Sequence, residues 1–404
     1  MKYINKKLAI ENVKIQNIAY KFGTPVYCYS FSQLKQNIIN FKRSFKSFSP
    51  MICFSIKSNS NVNLLKEIGK LGLGADVVSK GELMLAIKAG IKPKKIVFSG
   101  VGKTSSEISY AIDRKILLIN AESISEIKEI DRIARSKNRK VEIGIRLNPN
   151  TDANTLSQIS TGKKDDKFGV NKRSFIKIIE YCNNSKNLKL ECLSVHIGSQ
   201  ILDNRPYEKM LRVIENIIKK VKFKFKYIDL GGGMGIPYNK NSKKLNYTKY
   251  NHIIKKFLKK NKSKIIFEPG RSIIGNTGTL ISKIIYIKNS EKKCFIILDA
   301  GMNDLMRPAL YGANHRILPS IKKSKISKKS YEFVGPICES TDKFSTLTKF
   351  QKLKEKDIII ICDVGAYGIS LSSNYNVRPK PVELLIKGSK IIIIKKREKL
   401  EDII

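Results

Sequence analysis

Several residues stand where they could act together on one small molecule. Lys57 sits in Phe54-Ser55-Ile56-Lys57-Ser58-Asn59, directly after an apolar run, so its amine could attack a carbonyl carbon. A surface lysine at a strand end is the plainer alternative for any single position. The run Asp229-Leu230-Gly231-Gly232-Gly233-Met234-Gly235 comes after another apolar segment, and bare backbone amides there could cradle a phosphate. It is not the dinucleotide fingerprint, because the GxGxxG spacing fails and Pro237 interrupts the next helix. Glu268-Pro269-Gly270-Arg271 adds more amides, a carboxylate and a guanidinium. Asp76, Ser79, Arg146, Asn148 and His196-Ile197-Gly198-Ser199 fall at the ends of further apolar runs. A phosphate cradle, an amine and a carboxylate in one place are the parts that a pyridoxal phosphate (PLP) site requires.

The elements that must position these residues are legible as an alternation. Short apolar runs at 51–56, 74–78, 95–99, 115–120, 141–147, 190–196, 225–230 and 264–268 are separated by mostly amphipathic stretches, such as 123–136 and 207–222. Eight strands in βα order predict a TIM (β/α)8 barrel over 31–275, with a doubly wound sheet as the alternative. A barrel demands its chemistry at the carboxyl ends of the strands, and each group named above falls there. Beyond 275 the texture changes to short apolar runs (279–286, 294–298, 331–334, 357–362, 389–394) and turns. This predicts a second, β-rich domain, a β-barrel or sandwich, made of 1–30 and 276–404. Residues 322–329 read as a basic linker or loop.

Composition narrows the class. The chain carries 78 Lys and Arg against 34 Asp and Glu, a formal charge of +44. A basic excess can signal nucleic acid, anionic membrane or anionic substrate. Here the lysines are scattered, as at Lys219, Lys220, Lys222, Lys224 and Lys226, without a zinc-finger spacing, an RNP-like motif or a basic tail. Solvated faces are the reading, with no nucleic-acid partner. Seven cysteines, none in a CxxC pair, argue against a disulfide framework or structural zinc, and no metal is expected. No stretch approaches a membrane span, so a cytoplasmic protein is expected.

In order and spacing, these motifs resemble the fold-type III PLP-dependent decarboxylases, a TIM barrel followed by a β-domain, from about Thr24 to Leu385. The resemblance implies that Lys57 bonds covalently to PLP, that Asp76 supports its charge state and that His196 stacks on the pyridine ring. Ser199, Gly233, Pro269, Gly270 and Arg271 would hold the phosphate end, and Glu268 would pair with the ring nitrogen. A carboxylate in that role favours decarboxylation, whereas the related alanine racemases place an arginine there. Asp299-Ala300-Gly301-Met302-Asn303-Asp304-Leu305-Met306-Arg307-Pro308-Ala309-Leu310-Tyr311 is similar to the diaminopimelate decarboxylase motif, in which Arg307 and Tyr311, with Arg271, would bind a substrate carboxylate. Gly335-Pro336-Ile337-Cys338-Glu339-Ser340-Thr341-Asp342 resembles that family's cysteine motif. Cys338 would protonate Cα, and Glu339 would read the distal ammonium. Gly365-Ala366-Tyr367-Gly368 supplies Tyr367, for phosphate and substrate. The implied activity converts meso-2,6-diaminopimelate to L-lysine and CO2. The alternatives are decarboxylation of ornithine, arginine or carboxynorspermidine, and, outside enzymes, a PLP carrier or a nucleic-acid binder. A homodimer with shared active sites is also implied. Ser55 and Ser58 depart from the family's usual small apolar residue and alanine. The loop 152–162 keeps Ile159-Ser160-Thr161-Gly162 but has Asn154 and Leu156-Ser157-Gln158 where a His and a His-Pro-Tyr-like run are common.

Overall fold

The computed structural model describes residues 1–404 except Asn154, Asn239, Lys240, Asn241 and Lys292, with the backbone alone at Ser157; Asn154, singled out in the sequence, thus lies outside the described residues. The chain divides into two compact units. One comprises Ile38–Ile236 and Lys243–Ser272; the other comprises Met1–Asn37, Pro237–Ser242 and Ile273–Ile404.

The first unit is a closed barrel of eight parallel strands: Met51–Ser55, Gly74–Val77, Ile96–Phe98, Leu118–Ala121, Val141–Arg146, Leu188–Ser194, Tyr227–Asp229 and Lys264–Phe267. They run round the barrel in chain order, and the last pairs with the first through Ile266–Met51 and Phe267–Ile52. Burial on both faces explains their largely apolar sequences. In the first strand Cys53 and Phe54 are wholly buried and Ile52 nearly so. The intervening helices are amphipathic, as expected. Helix Ile124–Ser136 buries Ile127, Ile130, Ile133 and Ala134 along one stripe, and its first turn is capped by Ser123, whose hydroxyl accepts from the Glu126 amide.

All eight strands of the sequence reading are present, with ends displaced by a few residues. The largest displacement has a cause in the backbone. Residues 115–117 read as strand, but Lys115 takes a left-handed φ of +51° and its amide bonds back to the Ile112 carbonyl. The strand therefore begins only at Leu118.

The second unit is built on a nine-stranded mixed sheet among the described residues. Its long strand Gly278–Asn289 pairs antiparallel with Val26–Ser30, which pairs parallel with Val382–Lys387 on its other side. Val26, Cys28, Ile281, Ile360, Leu384 and Ile386 form its core. The sequence reading missed the six-residue strand Val382–Lys387 and several short pieces: Lys2–Ile4, Lys7–Ile10, Val13–Lys14, Ile317–Pro319 and Lys343–Leu347. The short pieces carry too little alternation to stand out.

Candidate active site

In the barrel unit, the carboxyl ends of the strands gather one polar cluster. Lys57 lies in the single turn Ile56–Ser58 that leaves the first strand. Its Nζ stands 3.7 Å from Oδ2 of Asp76, which is buried on the adjacent strand directly opposite Ser55. The Ser55 hydroxyl donates to the same carboxylate at 2.8 Å, and the Ser58 hydroxyl donates to the Ser55 carbonyl at 2.7 Å. The two serines that depart from the family pattern thus brace the lysine turn. The other Asp76 oxygen, Oδ1, is buried without a hydrogen-bond partner among the described residues.

Glu268 follows the eighth strand and is buried. Its carboxyl is pushed well above the usual range, first by burial and then by the charges of Asp229 and Asp76. Asp229, on the neighbouring strand, is raised to about 6 by burial, while bonds from the Gly231 amide and from Asn120 oppose the rise. Two buried carboxyls in contact cannot both ionise cheaply, so they share a proton, and Glu268 is the one that holds it. The Ser99 hydroxyl donates to Oε1 of Glu268 at 3.3 Å, and Asn120 donates to Ser99 and to Asp229. Sequence reading assigned no role to Ser99, Asn120, Ser194 or Asp229. The available signal was a polar residue at the carboxyl end of each apolar strand.

His196 follows the sixth strand. The Gly232 amide donates to its Nδ1 at 3.2 Å, which places the ring proton on Nε2. Its pKa falls well below the usual value through burial, then through Lys57 and Arg146, so the ring is a neutral plate. Glycines let the backbone pack this closely, and a Cβ on Gly231 would come 2.6 Å from the His196 Nδ1. Gly233 has φ +86°, and a Cβ there would come 2.4 Å from the Gly198 carbonyl oxygen. A Cβ on Gly270 would come 2.8 Å from the Ser58 hydroxyl. Buried Arg271 donates from Nη2 to the Ser199 hydroxyl at 3.2 Å, and the Pro269 carbonyl accepts from the Ser55 amide. Lys57, Asp76, His196, Ser199, Gly233, Glu268, Pro269, Gly270 and Arg271 therefore all lie on the mouth-side ends of the barrel strands. Arg146 and Ser79 serve the scaffold: Arg146 pairs with buried Glu122 at 3.0 Å, and Ser79 caps helix Lys80–Lys88.

The second unit carries the other set. Arg307 opens helix Arg307–Tyr311 and is buried, while Tyr311 at its end is half-buried. Arg307 contacts His315 and Tyr238, neither of which the sequence reading singled out. Cys338 and Glu339 are exposed. The Cys338 amide donates to Oδ1 of Asn376 at 3.3 Å, and Glu339 accepts from the Tyr375 hydroxyl at 2.7 Å. Tyr367 is half-buried with a left-handed φ of +56°, a conformation that costs a bulky residue of order 1–3 kcal/mol and marks a held position. The six other cysteines are buried, and all seven are free thiols. No metal-binding cluster and no helix long and apolar enough to cross a membrane occur among the described residues.

Known proteins share this arrangement. Residues 31–275 match the family described as pyridoxal-dependent decarboxylase, pyridoxal binding domain. The chain is 41% identical to the diaminopimelate decarboxylase of Aquifex aeolicus, over 100% of this chain and 96% of that protein. The structure of diaminopimelate decarboxylase from Helicobacter pylori, complexed with L-lysine, superposes with a TM-score of 0.91 at 42% identity, covering 96% of this chain and 98% of that one. The M. jannaschii enzyme with L-lysine superposes at 0.94 and 33% identity, covering 100% and 96%. The barrel residues fit a pyridoxal phosphate group on their own chemistry. They offer an amine, a neutral flat ring, a guanidinium beside backbone turns too close for any Cβ, and a buried acid whose proton a cationic ring nitrogen would displace.

Proposed function

Since this chain belongs to the diaminopimelate decarboxylases, within the pyridoxal-dependent decarboxylase family, we propose that it converts meso-2,6-diaminopimelate to L-lysine and CO2. Pyridoxal phosphate, when bound, supplies an electron sink for the pair left on Cα as CO2 departs. Lys57 would hold the cofactor through its Nζ, with the Asp76 carboxylate 3.7 Å away to complement positive charge on that nitrogen. Ser199, Gly233, Pro269, Gly270, Arg271 and Tyr367 hold the phosphate end. His196 lies against the ring as a neutral plate, which adds no charge to compete with Glu268.

The observation that carries the reading is the buried Glu268–Asp229 pair. Burial and the charge of neighbouring carboxyls raise both groups, Glu268 well above its usual range, and a cation facing Glu268 favours its ionised form. A cationic ring nitrogen is what makes a ring a strong electron sink, and that suits loss of CO2. Arg307 and Tyr311, with Arg271, receive the distal carboxylate, Glu339 receives the distal ammonium, and Tyr367 contacts the substrate as well as the phosphate. Cys338 delivers the proton to Cα from its Sγ. Its exposure supports a site completed in the other subunit of a homodimer. Incubation with the cofactor and a panel of diaminopimelate, ornithine, arginine and carboxynorspermidine tests the activity. Lysine should be the dominant product, and putrescine or agmatine in its place would refute the substrate.

A further inference from the structure

The guanidinium of Arg307 is held by a neutral side chain whose state the geometry fixes. Its Nη1 lies 2.9 Å from Nε2 of His315, and Nδ1 of the same ring lies 2.8 Å from the Cys362 carbonyl oxygen. A carbonyl oxygen only accepts, so Nδ1 carries the ring proton. A guanidinium only donates, so Nε2 presents its lone pair. One tautomer satisfies both partners, and a second ring proton would point at the arginine. Both side chains are buried, at 3% and 5% exposure. The Tyr238 ring lies under the guanidinium, with its centroid 4.6 Å from Cζ, and meets the imidazole edge-on at 5.1 Å.

Local sequence brings these groups together. Helix Arg307–Tyr311 ends at Gly312, whose φ of +60° turns the chain left-handed. The turn returns His315 to a residue eight positions earlier. An imidazole in this role differs from a carboxylate in one respect: it orients a guanidinium without cancelling its charge.

We propose that His315 is a positioning residue that fixes the Arg307 guanidinium to receive the distal carboxylate of the substrate, and that it thereby sets the preference for diaminopimelate over amino acids whose far end bears an amine alone. The proposal rests on the reading that Arg307 meets that carboxylate. Glutamine can reproduce the neutral bridge, donating to the Cys362 carbonyl and accepting from Arg307, whereas leucine can do neither.

The test compares His315→Gln, His315→Leu and Arg307→Ala in the cofactor-loaded enzyme, following KM and kcat for diaminopimelate, cofactor absorbance and thermal stability. His315→Leu should raise KM roughly 10–100-fold with kcat nearly unchanged and the cofactor retained. His315→Gln should restore KM to within a few-fold of wild type. In the Arg307→Ala background, His315→Leu should add no further rise, because residues acting through one contact are not additive. If leucine does not fold there, His315→Met takes its place. Equal behaviour of the Gln and apolar variants, or additive effects with Arg307→Ala, overturns the role of His315 alone. An unchanged KM in Arg307→Ala overturns the carboxylate reading and His315 with it.

Discussion

The barrel mouth places three carboxyls, Asp76, Asp229 and Glu268, within mutual influence of one amine, Lys57. Burial and the charge of neighbouring carboxyls raise Glu268 and Asp229, so a cation placed against Glu268 would favour its ionised form. Borohydride reduction of the loaded enzyme should fix the cofactor on the peptide containing Lys57. Lys57→Ala should show no covalent adduct by mass spectrometry, and an adduct that persists would move the site elsewhere. In the proposed function Arg307 belongs to substrate choice. Removing one partner of a buried charge pair typically costs ~2–5 kcal/mol. Arg307→Ala should therefore lower kcat/KM for diaminopimelate by roughly two to three orders of magnitude while the cofactor stays bound. Steady-state kinetics on diaminopimelate and on lysine check this, and equal losses on both would assign Arg307 to the fold.

Among the elements, helix Lys80–Lys88 bears directly on the lysine turn. Its Glu82 accepts from the Val78 amide at 2.9 Å. Burial raises its carboxyl from 4.5 to about 7, with Asp76 adding to the rise and Lys57 opposing it. The unfolded chain ionises this group near its ordinary value, and the folded chain only near 7. The stability advantage of the neutral acid is thus complete below about 4.5 and lost as pH rises through about 7. Glu82→Gln keeps a neutral acceptor at every pH. It should match wild type at pH 4.5 and exceed it at pH 8 by about 1–3 kcal/mol, read from denaturant unfolding at the two values. A difference that does not grow with pH would count against the buried acid.

The same elements show how far sequence carries. Every barrel strand was visible, because burial on both faces writes a largely apolar run and a polar residue marks each mouth end. Lys57, Glu268 and His196 could be singled out for that reason. Ser99, Asn120 and Asp229 could not be told from ordinary strand ends, since their importance lies in contacts between neighbouring strands. His315 was equally silent: its partners are an arginine eight residues back and a carbonyl on a distant strand. Local pattern reports where a side chain points, and it does not report whom it meets.

For the whole molecule, the proposed homodimer predicts complementation. Lys57→Ala and Cys338→Ala subunits should each be inactive alone. After confirmed subunit exchange, a mixture should recover activity, because each heterodimer rebuilds one intact site. No recovery would place Cys338 in its own subunit's chemistry. The net charge of +44 comes from 78 Lys and Arg scattered along the chain.

The strand Val26–Ser30 has both its neighbours far downstream, one beginning at Gly278 and the other at Val382. Tyr29 reaches its hydrogen-bond partner Glu383 across 354 residues of chain. During synthesis at ~5–20 residues per second, this apolar strand leaves the ribosome roughly 20–70 seconds before its last partner exists. The barrel can close in that interval, while the strand waits with both edges open until Gly278–Asn289 is made and with one edge open until Val382–Lys387 follows. A nascent chain stalled before Val382 should therefore display Val26–Ser30 to chaperones. A strand made before the barrel is completed only after it.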